Sequence, residues 1–329
     1  MIPWIARAVA LVAVLFAAPA GGVTLDYTSF HVLGDSLSDT GNVYRATFGR
    51  TPKSPPYWRG RFSNGPVWAE HVGAKFRAAG KPVGYHAWGG AKATGGVTDL
   101  AIQASRYRLI DEKRRGARPM LALVAGANDI RSGIRSADIA KVGRRAANAV
   151  GDAAASLSRA GVRDLLVFKL PNLGKVPRYA LNPNPSVAAA ATVGAQAFNL
   201  QLDLRIARLR ERGLNVHMVD TYALFDALIA DPRSFGLRNT TTPCLDANDR
   251  LCTPKQARYR AFFDRTHPNF VVHRRLAEAV LAEIAAPVAF TAQMASVAPA
   301  SVPLPAPAVL LLGSLLALGL VARRRRAEA

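Results

Sequence analysis

Short apolar runs that end in glycine, proline or polar turns alternate along this chain with longer stretches of helical spacing. Phe30–Leu33 runs into Gly34-Asp35-Ser36, and Pro119–Ala125 runs into Gly126-Ala127-Asn128-Asp129. Asp164–Leu170 is stopped by Pro171, and Leu214–Val219 is a fourth run of the same kind. Between and after them, 67–79, 137–160, 186–212, 223–230 and 270–285 repeat apolar residues at helical intervals. Strands alternating with helices predict an α/β fold with a mainly parallel sheet. In such folds sites form at the carboxyl ends of strands, so clusters 34–36 and 126–129 are expected on one rim. Residues 50–65, rich in Pro, Gly, Arg and aromatics, are expected as a loop, as are 84–96 with two Gly-Gly pairs. No internal repeat is present.

Both ends are set apart from this pattern. Arg7 precedes the apolar run Ala8–Ala18, and Ala18-Pro19-Ala20 suits signal-peptide cleavage, so 1–20 is expected to be a secretory signal. Residues 287–301 have the composition of a linker. Val302-Pro303-Leu304-Pro305-Ala306 follows, then the apolar run Ala308–Ala322, then Arg323–Arg326. As a helix that run reaches only about 22 Å, short for a hydrocarbon core of ~30 Å. Four arginines after it favour a cytoplasmic end. The segment 302–329 resembles the VPLPA-type relatives of PEP-CTERM sorting signals. That resemblance implies a short transmembrane segment, transient membrane retention and processing by an exosortase-like enzyme. A plain C-terminal anchor is the alternative.

What remains, 21–286, is the size of one sizeable domain. Its two cysteines, Cys244 and Cys252, are close in sequence and, in an exported chain, are expected to form a disulfide clipping a local loop within 231–261. Lys and Arg outnumber Asp and Glu, 43 to 22, for a net charge of +21. The basic residues are scattered and belong to no recognisable nucleic-acid module, so no nucleic-acid partner is expected and a surface facing an anionic envelope is.

Four polar clusters can carry chemistry. Ser36 follows a strand and a glycine, a setting that presents a hydroxyl and backbone N–H groups together if the next segment starts a helix; Ser and Asp there can equally cap that helix. Asp264 and His267 are three apart, so the carboxylate can bond the imidazole Nδ1–H and leave Nε2 for a serine; His267 can equally cap the following helix. The Asn128 amide is a neutral donor suited to an oxyanion, with Asp129 holding the loop, or the pair makes an ordinary turn. Gly89-Gly90 lets a backbone N–H approach a substrate closely.

In order and spacing these four clusters resemble the GDSL lipase/esterase family, the SGNH hydrolases. The first block reads Gly34-Asp35-Ser36-Leu37-Ser38-Asp39-Thr40-Gly41-Asn42, the second His86-Ala87-Trp88-Gly89-Gly90-Ala91, the third Gly126-Ala127-Asn128-Asp129 and the last Asp264–Pro268. Leu170-Pro171-Asn172-Leu173-Gly174, Pro177 and the cysteine pair also match features of some branches. Tyr85 departs from a frequent Asn. The resemblance covers nearly all of 28–285. It implies a three-layer α/β/α sandwich, flavodoxin-like, and acyl transfer by a Ser36–His267–Asp264 triad. The Ser36 and Gly90 N–H groups and the Asn128 amide would form the oxyanion hole, with no cofactor and no metal. The implied activity is that of an exported carboxylic ester hydrolase on acyl esters or lipids. Deacetylation of an envelope polysaccharide and a non-enzymatic surface role are the alternatives. Tyr44, Phe48, Tyr57, Trp58 and Phe62 either line an acyl pocket or pack as an aromatic loop.

Overall fold

The computed structural model describes residues 26–285. The expected signal segment 1–20, linker 287–301 and sorting tail 302–329 lie outside the described residues. Among the described residues no helix is long and apolar enough to cross a membrane.

The sheet has five strands: β1 (Ser29–Gly34), β2 (Val83–Tyr85), β3 (Pro119–Val124), β4 (Asp164–Phe168) and β5 (Asn215–Val219). Their order is β2-β1-β3-β4-β5 and every pairing is parallel. Four of the strands lie within the apolar runs or one residue beyond them. The fifth, β2, falls where a loop over 84–96 is expected. It is three residues long with Gly84 at its centre, so it has no apolar run to reveal it, and pairing with β1 defines it.

Successive residues of a strand face opposite sides, and both sides are covered. Phe30, Val32, Met120, Ala122, Leu166 and Phe168 face one core under the Trp68–Ala78 and Phe270–Ala285 helices. Leu33, Leu121, Leu123, Leu165 and Val167 face the other, under the Leu100–Arg108, Ile139–Arg159 and Pro185–Glu211 helices. Burial on both faces makes the strand sequences continuous rather than alternating. The result is the expected three-layer sandwich.

The chain leaves β1 for β2 on one side and returns to β3 on the other. The connections before and after β2 therefore cover opposite faces, which opens a crevice at the carboxyl ends of β1 and β3. Ser36 and Asn128 follow those two strands.

Candidate active site

Gly34 ends β1 where the Val124 carbonyl of β3 passes close by: a Cβ at Gly34 would lie 2.3 Å from that oxygen. Gln103 fixes the residue from the other side. Its Oε1 accepts the Gly34 N–H at 2.7 Å and its Nε2 donates to the Gly34 carbonyl at 2.8 Å. The chain then makes one tight turn, with Ser38 N–H donating to the Asp35 carbonyl and Leu37 N–H to Asp35 Oδ1. No helix begins at Ser36, so neither the helix start nor the helix cap that the sequence allows there is found. The Asp39 carboxylate takes the N–H groups of Gly41, Asn42 and Val43 instead, so helix starts only at Asn42. Asp39 also accepts the Gly89 N–H at 2.8 Å, and Asn42 Nδ2 donates to the Tyr85 and Ala87 carbonyls. The long first block is thus the frame that holds the second block in place.

His267 Nε2 lies 2.8 Å from Ser36 Oγ, and His267 Nδ1 lies 2.7 Å from Asp264 Oδ2. The two ends of the domain meet here across a sequence separation of 231. Asp264 Oδ1 accepts the N–H groups of Thr266 and His267, and Oδ2 accepts a further bond of 2.7 Å from the Tyr57 hydroxyl. Burial would raise this carboxyl. The His267 ring, the Tyr57 hydroxyl and the backbone N–H groups outweigh it and hold Asp264 well below the usual carboxylate range. His267 does not cap the last helix, because Asn269 does so through Val272 N–H. Phe62 packs at 5.3 Å from the imidazole.

The loop bearing Asp264 is braced from two sides. Arg178 donates from its N–H to the Arg265 carbonyl and from Nε to Thr266 Oγ1. Cys244 and Cys252 are bonded as expected, and beside them the N–H groups of Cys244 and Leu245 donate to the carbonyls of Phe262 and Phe263.

Asn128 sits on the first turn of the Ala127–Ser132 helix, and its Nδ2 donates to the Ala91 carbonyl at 2.8 Å. Asp129 accepts from Ala93 N–H, Thr94 N–H and Thr94 Oγ1, so it holds the loop beyond the second block. Gly90 is exposed with φ +81°, and no atom lies within 4 Å of where its Cβ would be. Among the described residues neither the Ser36 nor the Gly90 N–H makes an internal hydrogen bond.

A cavity of about 150 Å³ opens beside Ser36 and His267 and also reaches Asn128. Its walls are mainly apolar: Leu37, Phe168, Leu173, Leu224, Phe225 and Phe262 contribute to them. None of Tyr44, Phe48, Tyr57, Trp58 and Phe62 lines it. Two of these aromatics pack beside Asp264 and His267 instead: Phe62 lies against the imidazole and Tyr57 is edge-on to Phe263 at 5.0 Å, whereas Phe48 is exposed. Asp35 is the one carboxylate on the cavity wall. Burial raises it from 3.8 to about 6.

Sequence reasoning missed Gln103 altogether and the roles of Asp39, Asn42 and Tyr57, the last of which it offered only as a pocket or packing aromatic. Asp39 and Asn42 lie inside the first block, and their place beside the nucleophile was the available signal. Gln103 and Tyr57 have none, because long-range contacts recruit them.

Residues 31–280 match the family model described as GDSL-like Lipase/Acylhydrolase. The chain is 28% identical to the thermolabile hemolysin of Vibrio parahaemolyticus over 270 residues, 76% of this chain and 62% of that one. It is 34% identical to the phosphatidylcholine-sterol acyltransferase of Aeromonas hydrophila over 226 residues, 65% of this chain and 64% of that one. It is 23% identical to an acetylesterase of Thermothelomyces thermophilus over 123 residues, 37% of each. The matches thus span a little under two thirds of the length of the first two relatives.

Proposed function

The chain belongs to the GDSL-like lipase/acylhydrolase family, and from that premise we propose that it is a serine hydrolase of carboxylic esters with a long or medium acyl chain. The observation that carries this is the continuous relay Ser36 Oγ–His267 Nε2–His267 Nδ1–Asp264 Oδ2 opening onto an apolar cavity. Ser36 Oγ attacks the ester carbonyl carbon while its proton passes to His267 Nε2. Asp264 holds the ring in the tautomer that accepts this proton and stabilises the imidazolium. The unpaired N–H groups of Ser36 and Gly90 and the Asn128 amide stabilise the tetrahedral oxyanion; each such donor is worth about 2.7–4 kcal/mol of barrier. Collapse expels the alcohol, which takes its proton from Nε2. Water then attacks the acyl-serine carbonyl and gives a proton to His267; the acyl–Oγ bond breaks, Ser36 Oγ takes the proton back from Nε2, and the carboxylic acid leaves.

The apolar lining favours a lipid acyl chain over an acetyl group, and the relative named phosphatidylcholine-sterol acyltransferase supports the same substrate class. The signal-like start and the sorting-like tail support an exported chain held in the membrane until an exosortase-like enzyme processes it. Cell fractionation with and without residues 302–329 tests that placement.

The deciding experiment is turnover of a p-nitrophenyl ester series by the chain and by Ser36→Ala. We expect rates that rise from acetyl to longer chains and fall by roughly 10⁴-fold or more in the variant. Wild-type-like turnover by Ser36→Ala would sink the mechanism. Activity confined to acetylated glycans would replace the substrate class with deacetylation of an envelope polysaccharide.

A further inference from the structure

Among the described residues nine large hydrophobic side chains are exposed, and Leu181, Val193, Leu200 and Leu204 are four of them. The last three stand on the Pro185–Glu211 helix at spacings of seven and four, which puts them in one row along its outer side. Leu200 and Leu204 are 68% and 57% exposed. The opposite side of the same helix is buried through Ala195, Phe198, Leu202 and Ile206. The helix is therefore apolar on both sides, a pattern that an aqueous surface helix does not require.

The charge beside this row has a definite place. Gln201 donates to Asn148 at 2.9 Å, and Arg205 pairs with Asp152. Both pairs are separated by 53 positions, so the Ile139–Arg159 and Pro185–Glu211 helices run side by side in parallel register. Lys141, Arg145, Asn148 and Asp152 form one row of the first helix at spacings of four, three and four. Extended toward the amino end, the same register sets Lys141 and Arg145 level with Gly194 and Phe198, next to Val193. Both are exposed, and neither forms an ion pair among the described residues. Arg208 and Arg212, also exposed and outside any ion pair, close the other end of the row. Leu181 stands just before the Pro185–Glu211 helix begins, two residues after Tyr179, which lines the catalytic cavity.

We infer that this flank, a ridge of Leu181, Val193, Leu200 and Leu204 bordered by Lys141, Arg145, Arg208 and Arg212, docks on an anionic lipid bilayer. Apolar side chains flanked by unpaired cations match the two requirements of interfacial binding, burial at the acyl boundary and attraction to acidic headgroups. The inference does not depend on the ester chemistry, because its test reads binding. The full chain has only the two cysteines of the disulfide, so a single reporter can be introduced by L200C and labelled with a polarity-sensitive fluorophore. A control label by K75C sits on the Trp68–Ala78 helix, over the other core. Vesicles of phosphatidylcholine with phosphatidylglycerol should shift the label at position 200 to the blue and expose it to quenching by lipid-borne spin labels. The label at position 75 should not respond. K141E and R145E should each weaken the response by at least roughly fivefold, the effect of removing one membrane-facing cation. Two results would overturn the inference. One is a water-like label at position 200 on vesicles that nevertheless carry the protein down, which assigns attachment to another part of the chain. The other is a blue shift that grows with protein concentration without vesicles, which assigns the ridge to self-association.

Discussion

Tyr57, outside every motif block, and Asp35, inside the first, show how single residues tune this site. The Tyr57 hydroxyl bonds the same Asp264 oxygen that faces His267 Nδ1. It draws charge away from the imidazole while filling the last acceptor site of a buried carboxylate. Tyr57→Phe leaves the ring packing intact and removes only that bond. The carboxylate then stabilises the imidazolium more strongly, so the acid limb of kcat/KM moves to higher pH. Loss of one charge-assisted bond should also cost about 1.5–3 kcal/mol of stability. A pH–rate profile and a urea titration check the two effects; a change in stability with an unmoved limb would reduce Tyr57 to packing. Asp35 is the opposite case. Burial raises it from 3.8 to about 6, so the folded protein holds a proton that the unfolded chain has lost between those values. Its contribution to stability therefore improves as pH falls through about 6 and levels off near 4. At pH 8 its buried charge costs on the order of 3 kcal/mol. Asp35→Asn should be more stable than the parent by about 2–3 kcal/mol at pH 8 and gain little at pH 4. The four motif clusters were legible at this scale because each is local. Tyr57 and Gln103 were not, since each reaches its partner across a long separation in sequence.

At the scale of elements, the sheet was legible where strands are buried on both faces and opaque where they are not. β1, β3, β4 and β5 bury residues on two cores and so carry continuous apolar runs. β2 is an edge strand of intermediate burial, and its three residues Val83-Gly84-Tyr85 are too few and too interrupted by glycine to form an apolar run. The Leu100–Arg108 helix escaped notice for a related reason: it is short and exposes Ile102, which blurs its apolar side. The aromatic loop divides by residue: Tyr57 and Phe62 pack beside Asp264 and His267, none of its five aromatics walls the cavity, and Phe48 faces solvent. The disulfide belongs to this scale too. It closes a loop whose backbone bonds Phe262 and Phe263, the residues just before Asp264. Cys244→Ser with Cys252→Ser should lower stability by roughly 2–3 kcal/mol, as expected for a short closed loop. Activity at low temperature should survive, because Arg178 and Tyr57 still hold the Asp264 loop. Calorimetry paired with ester turnover distinguishes this from a disulfide on which the site itself depends.

For the whole molecule, buried histidines dominate the response to acid. Burial lowers His31 and takes His86 to about 4 and His273 to about 3, against an ordinary 6.5; the neighbouring His31 adds to the effect at His86. As pH falls below about 6.5 the unfolded chain takes up protons that these rings refuse, and stability falls. Asp35 and Asp129, both raised by burial, oppose this trend over part of the same range. Burial lowers His71 as well, and four histidines against two carboxylates leave a net loss. Below about pH 4 the depressed Asp264 adds its own, since its contribution is complete above the ordinary carboxylate range and disappears as the folded group is protonated. Urea midpoints measured from pH 7.5 down to 4 should decline throughout, and a flat or rising curve would contradict this balance. The separation of Ser36 from His267 bears on a different matter, the time course of biosynthesis. A ribosome adding about 5–20 residues per second needs some ten seconds to most of a minute to travel from the nucleophile to its base. Throughout that interval the growing chain carries a serine with no proton acceptor. A nascent or truncated chain that stops short of position 267 therefore holds Ser36 without the imidazole that stands beside it in the folded domain.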